Sequence, residues 1–355
     1  MSVLDLDFYK LTMLQFIWKH YADVPVTFRL HSRKQDLRNV LDSEDLSRRV
    51  ENYQSKRLAN RELMWLRSQG IFEDRFLNDL KWLFDGNLPT PQISEDSVEV
   101  SGDWFNTTLW ETVILSAVSE QYSRKHIVRP LPTKVMRRLV KIGNARANWA
   151  DFGTRRRWSQ RQHESTIAMM ATRGWKYGFV GTSNVDLAIR YGLTPVGTYA
   201  HELEMVLRNV HDNEIFTTRD VLEKWGAMYP HALRIALSDT YRTKHFLRHH
   251  GEFLLENDWR GIRLDSGHPG YLGGFVKGWL GNNQWDVVFS DGLDADSIVE
   301  LQREFGRPGS NVNPLFGWGT GFTNPNSNLS LVMKAVESNG KDTYKITDDS
   351  SKSIS

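Results

Sequence analysis

The sequence predicts an α/β fold whose C-terminal half contains a parallel sheet. From residue 149 onward, short apolar segments recur, and each ends in small polar or acidic residues. Stretches long enough for a helix separate most of these segments, and strands alternating with helices are typical of parallel α/β proteins. The segments cover residues 149–153, 178–184, 195–201, 235–240, 262–268, 287–293 and 315–323. Periodicity alone leaves open whether these units close into a barrel or form an open, doubly wound sheet.

The first 148 residues have a mixed pattern. Apolar residues recur at helical spacing over residues 7–20 and 110–122, and residues 43–84 suggest several helices. Residues 24–31 and 97–104 are typical of short strands. We therefore expect an N-terminal α+β domain over residues 1–148, followed by an α/β domain over residues 149–325.

The C-terminal segment predicts a β-hairpin. Apolar runs over residues 329–336 and 343–346 flank Asn339 and Gly340, and Asn-Gly between two such runs is a strong hairpin signal. Because this hairpin does not continue the α/β alternation, we expect residues 326–347 to fold back onto the N-terminal domain. The polar tail, residues 348–355, is expected to be poorly ordered.

Composition excludes several classes of protein. With 45 basic and 43 acidic residues the net charge is +2, which gives no reason to expect a nucleic-acid binder. No run approaches the roughly 18 apolar residues that a membrane helix needs. The chain contains no cysteine, so disulfides and thiolate chemistry are excluded. The first residues lack the pattern of a secretory signal, so we expect a cytoplasmic protein.

Three aspartates follow three successive predicted strands. They are Asp239, Asp265 and Asp291, each beside a serine. A single aspartate at such a position is more often a helix cap. Because the carboxyl ends of parallel strands share one edge of the sheet, three of them favour a ligand site. Mg²⁺ prefers one or two carboxylates together with substrate phosphates, so a phosphorylated substrate is indicated.

Glycine and histidine accompany the aspartates. Residues 317–321 read GWGTG, which suits either a phosphate-binding loop or a tight turn, and Gly292 follows another strand end. His201 follows a strand end and is either structural or a nucleophile oriented by a carboxylate.

Cations and an aromatic residue complete the candidate set. Arg263 and one or two of the arginines at 155–157 suit carboxylate or phosphate binding. Phe152 is equally plausible in the core or as a stacking surface. The residues by themselves thus indicate an α/β enzyme that acts on a phosphorylated, Mg²⁺-bound substrate, and they do not name it.

The same residues resemble the motifs of the nicotinate phosphoribosyltransferase family. Eight motifs occur in family order between residues 7 and 320, which makes chance similarity remote. They read DFYKLTM at 7–13, DFGTRR at 151–156, GTSN at 181–184, GTYAHE at 197–202, ALSDT at 236–240, RLDSG at 263–267, FSDGLD at 289–294 and FGWGT at 316–320. Departures from the family pattern are His268, where aspartate is common, and Gly321, where many bacterial members have arginine.

The resemblance implies an irregular α/β barrel of the type II phosphoribosyltransferase kind, with an N-terminal domain completed by the C-terminal hairpin. It also implies a homodimer with shared active sites. Phe152 and the partner subunit's Tyr9 would sandwich the pyridine ring, and Arg263 would pair with the carboxylate of nicotinate. Ser183 replaces an aspartate of the related nicotinamide enzymes, which favours the acid over the amide.

The remaining roles implied by the resemblance concern the phosphates. Asp239, Asp265 and Arg155 would handle Mg²⁺ and the pyrophosphate of phosphoribosyl pyrophosphate. His201 would become phosphorylated by ATP. The loop residues that would hold the 5′-phosphate are Gly292, Gly317 and Gly319.

Two alternatives stay open at this point. One is a nicotinamide phosphoribosyltransferase, against which Ser183 argues. The other is a non-catalytic relative that only binds nucleotides, against which the full set of strand-end residues argues.

Overall fold

The computed structural model describes residues 2–349, and its N-terminal part mixes helices with short strands. Three helices fill the stretch 43–84, as its pattern predicts. The elements up to residue 144 are α1 (Phe8–His20), β1 (Pro25–Ser32), α2 (Ser43–Gln54), α3 (Asn60–Ser68), α4 (Asp74–Trp82), a π-helical turn (Leu83–Asn87), β2 (Gln92–Ile93), β3 (Val98–Asp103), α5 (Trp104–Thr107), α6 (Trp110–His126) and α7 (Pro132–Asn144).

The second part alternates strands and helices. Its elements are β4 (Asn148–Asp151), α8 (Gln160–Arg173), β5 (Phe179–Thr182), α9 (Val185–Tyr191), α10 (Glu202–His211), α11 (Glu214–Met228), β6 (Ile235–Leu237), α12 (Thr243–Glu256), β7 (Gly261–Leu264), α13 (Pro269–Leu280), β8 (Trp285–Phe289), α14 (Ala295–Phe305), β9 (Val312–Trp318), α15 (Thr320–Thr323), β10 (Leu331–Ser338) and β11 (Lys341–Asp342). No helix within the described residues has the length and apolar content to cross a membrane.

Six of the strands form one parallel sheet in the order β5-β4-β9-β8-β7-β6. Six of the seven predicted segments therefore contain a strand. The prediction of a strand over residues 195–201 is wrong, because only Pro195 forms a bridge, to Thr182. Proline has no N–H to donate, and two residues later Gly197 turns the chain away with a φ of 151°. The parallel arrangement gathers the carboxyl ends of the strands at one edge.

The other sheet has the order β11-β10-β1-β3-β2. Strand β10 pairs antiparallel with β1 from Ser338 opposite Val26 to Leu331 opposite Ser32. The predicted hairpin thus returns to the N-terminal sheet, although its second strand is only two residues long and precedes the predicted one.

The prediction of a poorly ordered tail from residue 348 onward is wrong for Asp348, which forms two hydrogen bonds. The N–H of Asp348 donates to Ser266, and its carboxylate accepts from the N–H of Thr243. Residues 350–355 lie outside the described part of the chain. One apolar core contains residues of both halves, so the predicted domain boundaries stay predictions.

Buried ion pairs fasten the two halves together. The guanidinium of Arg157, just after β4, is 1% exposed and donates to Asp5 at 2.7 Å and to Glu120 of α6 at 2.9 Å. Burial favours the neutral acid of Asp5, but the charge and hydrogen bonds of Arg157 outweigh it and lower the pKa of Asp5 to about 2. Removing one member of such a set leaves buried charges without a partner, which is strongly destabilising.

We predict that Arg157→Met lowers the free energy of unfolding by about 3–5 kcal/mol. The matched control is Arg29→Met, which removes the exposed pair between Arg29 of β1 and Glu99 of β3 and costs at most about 1 kcal/mol. Urea denaturation of both variants measures the difference. Equal losses in the two variants would show that the buried pair does not carry this role.

Candidate active site

A cavity of about 560 Å³ lies at the carboxyl edge of the parallel sheet and is closed on one side by β10. Asp291, the third of the strand-end aspartates, lines it, and so do nine of the eleven residues to which the family resemblance gives a role. The nine are Tyr9, Phe152, Arg155, Ser183, His201, Arg263, Asp265, Gly292 and Gly319. Asp239 and Gly317 are not among the lining residues. Since the nine come from segments spread over 300 residues, the strand ends bring them together as the topology requires.

His201 sits between two strand-end carboxylates. Its Nε2 lies 3.6 Å from Asp239 and 3.6 Å from Asp265. On the other side of the ring, Nδ1 is 3.0 Å from the hydroxyl of Thr240. Burial lowers the pKa of His201, with Lys345 acting in the same direction and the two aspartates opposing. The ring is therefore held neutral and presents one nitrogen toward acidic groups.

The two carboxylates differ in exposure. Asp265 faces the cavity, and although burial alone would raise its pKa, Arg263 and the neighbouring His201 and Ser290 lower that pKa well below its usual range. Asp239 is fully buried. It accepts a hydrogen bond from Ser266, while its Oδ1 has no hydrogen-bond partner among residues 2–349.

Asp239 and Asp265 could supply only some of the ligands that a metal ion needs. No group of three or more acidic or histidine side chains in the described chain could hold a metal by itself. Two converging carboxylates, one with an unpartnered oxygen, match the small protein contribution that Mg²⁺ needs when substrate phosphates supply the other ligands.

Arg263, at the end of β7, offers an unused donor. Its side chain is 11% exposed, and its closest carboxylate contact is Nη2 at 3.9 Å from Asp265. Its Nε is buried and has no hydrogen-bond partner within the described residues. A buried guanidinium donor without a partner costs free energy. The geometry is therefore that of a site for an anionic group supplied by a ligand.

Phe152 follows β4, and its ring packs against a glycine. A Cβ on Gly317 would lie 2.4 Å from two atoms of the Phe152 ring. Gly317 therefore makes room for the aromatic ring and lies behind it, away from the cavity surface. Gly319 does line the cavity, beside the carbonyl of Phe152.

Tyr9 lines the same cavity from its own chain, whereas the family resemblance implied a tyrosine from a partner. The guanidinium of Arg155 lies 5.2 Å from the centre of the Tyr9 ring, and the Tyr9 hydroxyl donates to Glu111 at 3.1 Å. Arg155 also pairs with Glu111 at 2.7 Å and Asp7 at 3.0 Å. Tyr9 of this chain and Phe152 thus line one cavity, and the predicted sandwich with the partner subunit's Tyr9 stays a prediction.

Ser183 is hydrogen-bonded to an acidic residue that the sequence did not reveal as a neighbour. Its hydroxyl donates to Asp7 at 2.6 Å, and the Ser183 carbonyl accepts the N–H of Phe8 at the start of α1. Burial raises the pKa of Asp7, and Arg155 opposes this.

Comparisons with known proteins agree with this geometry. The model of the nicotinate phosphoribosyltransferase family matches residues 147–355, and the model of its N-terminal domain matches residues 4–119. The nicotinate phosphoribosyltransferase of Shigella dysenteriae serotype 1 (strain Sd197) is 34% identical over 383 residues, covering 99% of this chain and 92% of the relative. That of Escherichia coli (strain SMS-3-5 / SECEC) is 34% identical over 385 residues, with the same coverage. The chain belongs to the nicotinate phosphoribosyltransferase family.

Solved structures agree with the family assignment. The crystal structure of nicotinate phosphoribosyltransferase from Vibrio cholerae has a TM-score of 0.85 at 28% identity and covers all of this chain and 90% of its own. The enzyme from Porphyromonas gingivalis has a TM-score of 0.87 at 24% identity, covering 99% and 95%, and supports the fold alone.

Several residues of this family member's cavity were missed in the sequence. Arg33, Lys334 and Lys345 reach it from the N-terminal sheet and the hairpin. Burial, together with the positive charges of Arg33 and Lys345, lowers the pKa of Lys334 to about 8. No sequence motif surrounds these basic residues. The pairing of β10 with β1 is what brings them close to the ends of the parallel strands. By contrast Arg157, part of the arginine run, lies outside the cavity in the ion pairs described above.

We predict that Gly317→Ala displaces the Phe152 ring, because the added Cβ overlaps it. The expected loss of stability is about 1–3 kcal/mol, typical of an overpacked site. Gly274→Ala on α13 is the control, since its Cβ would meet nothing within 4 Å. Crystal structures of both variants, with thermal denaturation, test this. An unmoved ring in Gly317→Ala would contradict it.

Proposed function

We propose that this chain transfers the phosphoribosyl group of phosphoribosyl pyrophosphate to nicotinate, giving nicotinate mononucleotide and pyrophosphate for NAD biosynthesis. The observation that carries this proposal is the unpartnered, buried Nε of Arg263 at the cavity. A planar carboxylate on a pyridine ring matches a guanidinium fork, and Phe152 and Tyr9 offer aromatic faces for the ring.

The same region favours the acid over the amide. The hydroxyl of Ser183 donates to Asp7, whose carboxylate also pairs with Arg155. With Asp7 engaged in this way, Arg263 stays available to the carboxylate of nicotinate. Nicotinamide would leave the guanidinium without an anion, and unpaired buried polar groups reject an analogue that lacks the matching group.

In the proposed reaction the ring nitrogen of nicotinate forms a bond to C1 of the ribosyl group. The bond between C1 and the pyrophosphate oxygen breaks, and its electron pair leaves with pyrophosphate. Positive charge develops on the sugar, which Asp265 stabilises from the strand edge. Phe152, Tyr9 and Arg263 hold the ring in place, so the two reactants meet in a fixed orientation.

The phosphate groups have cationic and backbone partners in the same cavity. We assign Gly292 and Gly319 to the 5′-phosphate and Arg155 to the pyrophosphate, and Arg33, Lys334 and Lys345 add positive charge. Gly317 would act indirectly, by seating Phe152. Asp239 and Asp265 would hold Mg²⁺, which when bound neutralises charge on the departing pyrophosphate.

We also propose that ATP phosphorylates His201. The ring is neutral because burial lowers its pKa, so a nitrogen lone pair is available. Nε2 is the nitrogen that faces Asp239 and Asp265. It would bond to the γ-phosphorus of ATP while the bond from that phosphorus to the bridging oxygen breaks and ADP leaves. The phosphoryl group would then lie beside the site of phosphoribosyl pyrophosphate and change its charge.

Assembly and location follow from the same proposal. Family resemblance supports a homodimer, although Tyr9 lines the cavity from its own chain. Highly charged substrates such as ATP and phosphoribosyl pyrophosphate do not cross membranes freely, so a cytoplasmic location suits the reaction.

The first experiment incubates the purified protein with phosphoribosyl pyrophosphate and Mg²⁺, adding either nicotinate or nicotinamide, with and without ATP. We expect the reaction with nicotinate to give nicotinate mononucleotide, and to do so faster when ATP is present. We expect no product from nicotinamide. Preferential use of nicotinamide would assign the amide enzyme instead. Binding of phosphoribosyl pyrophosphate without product from either base would assign a non-catalytic relative.

Arg263→Gln should raise the KM for nicotinate by roughly 30-fold or more, because truncating one partner of a buried charge pair costs about 2–5 kcal/mol. The matched control is Arg260→Gln at the opposite end of β7, where Arg260 pairs with Asp286 at 2.5 Å. Steady-state kinetics with varied nicotinate give both values. A similar KM in the two variants would remove Arg263 from the nicotinate site.

His201→Ala should abolish the stimulation by ATP, because the phosphorylated nitrogen is missing. Incubation with ATP labelled at the γ-phosphate should give acid-labile label on the wild-type protein and none on the variant. Ser159→Ala, which removes a helix cap on α8, is the control for general damage to the fold. Retained stimulation in His201→Ala would exclude this role for the histidine.

A further inference from the structure

His163 and Asp151 form a buried pair that the proposed reaction does not use. His163 lies near the start of α8, and Asp151 is the last residue of β4. Both side chains are 0% exposed, and Nε2 of His163 lies 2.7 Å from Oδ2 of Asp151. Burying a carboxyl group is unfavourable unless hydrogen-bond donors surround it. Because Asp151 directly precedes Phe152, the pair stands behind the aromatic wall of the cavity.

The proton of His163 can be placed from its surroundings. Nδ1 is buried and has no hydrogen-bond partner among the residues that the structure describes. A proton on Nδ1 would leave a buried N–H unsatisfied, which costs free energy. A proton on Nε2 instead has the carboxyl oxygen of Asp151 as its acceptor. His163 therefore donates through Nε2 to Asp151.

Asp151 joins His163 to the turn that carries Phe152. Its Oδ1 accepts the N–H of Gly153 at 2.8 Å. On the other side of the ring-bearing residue, the N–H of Phe152 donates to the carbonyl of Trp318 at 3.1 Å. The direction of the Phe152 side chain is thus set by backbone hydrogen bonds before and after it, and one of these ends on the carboxyl group that His163 holds.

The same aspartate also fixes the neighbouring strand end. The hydroxyl of Thr182 donates to Oδ2 of Asp151 at 2.7 Å, and the N–H of Ser183 donates to the Asp151 carbonyl at 2.7 Å. Phe152 and Ser183, which both line the cavity, therefore depend on one residue for their relative position. Arg155, assigned to the pyrophosphate, is held by other acids, through its ion pairs with Asp7 and Glu111.

We propose that His163 is a positioning residue for the pyridine substrate, which acts through Asp151 to hold the Phe152 ring and Ser183 in place. This inference rests on the proposed function, in which Phe152 offers an aromatic face to nicotinate. Loss of the Nε2 donor would leave Asp151 free to turn and would misalign the ring site. The phosphate partners would stay where they are, because different elements hold them.

The first test compares two substitutions of the histidine. His163→Met fills similar space without a donor, whereas His163→Gln carries an amide N–H at about the reach of Nε2. We expect His163→Met to raise the KM for nicotinate by about 10- to 100-fold, since small misplacements of positioning groups have effects of this size. The KM for phosphoribosyl pyrophosphate should not change, and His163→Gln should restore most of the affinity for nicotinate. Equal KM values for nicotinate in the two variants would overturn the proposal.

Thr182 gives the same test at a second residue. Thr182→Val removes the other donor to Oδ2 of Asp151 at nearly constant shape. It should raise the KM for nicotinate and leave the KM for phosphoribosyl pyrophosphate unchanged, so the proposal stays testable if His163→Met does not fold. A parallel rise in both KM values would contradict a role confined to the ring site.

Ile167→Ala is the matched control for damage to α8. Ile167 is 0% exposed and lies one turn further along the helix from His163. The substitution removes apolar packing but no side-chain hydrogen bond, so it should lower the melting temperature and leave the KM for nicotinate at the wild-type value. A KM raised as much as in His163→Met would assign the effect to a loosened helix and overturn the proposal.

Crystal structures separate this inference from the proposed function. We expect the Phe152 ring to be displaced in His163→Met and to keep its position in His163→Gln and Ile167→Ala. An unmoved ring in His163→Met would overturn the positioning role. A displaced ring, in a protein whose wild type uses neither nicotinate nor nicotinamide, would uphold the positioning of Phe152 and reject the proposed function alone.

Discussion

The active site depends on one buried lysine. Lys10 of α1 has no solvent exposure, and its ammonium contacts Glu111 of α6 and Glu202 at the start of α10. Burial alone would lower the pKa of Lys10, but the two carboxylates raise it, so the lysine stays charged. Glu202 also accepts from Trp104 and Thr108. The two halves of the chain are therefore fixed to each other at the wall of the cavity, which Glu111 and Glu202 line. Tyr9 and His201, the sequence neighbours of Lys10 and Glu202, are fixed with them.

This arrangement explains how far the sequence alone could go. The alternation of apolar segments gave six strands and their acidic ends, because strand ends in a parallel sheet share one edge whatever the details of closure. Residue type and position thereby led to Arg263 and Asp265, whereas His201 follows the predicted segment that forms no strand. Periodicity could not predict which residues form the wall of the cavity opposite the strand ends. Lys334 and Arg33 have no pattern around them that marks a ligand site, and they reach it only through the pairing of β10 with β1.

Sequence patterns also fail to show the role of residues that act through a neighbouring residue. Gly317 belongs to a glycine-rich loop that looks like a phosphate site, yet its lack of a side chain serves the Phe152 ring. Pro195 stands in an apolar segment that resembles its neighbours, yet it can form only a bridge. Glu204 looks like an ordinary helical glutamate until its burial is seen. In each case the decisive fact is a contact between residues distant in sequence or hidden from solvent.

The return of the hairpin also has a consequence for how the polypeptide acquires its structure. Strand β1 is synthesised long before its partner β10, since Val26 pairs with Ser338. During translation β1 therefore exposes an unpaired edge on the side later covered by β10, and such edges invite association with other chains. Pairing across so long a separation also slows folding. The nascent chain is thus vulnerable to aggregation in the interval between the synthesis of β1 and that of β10, and chaperones that shield strand edges would act in that interval.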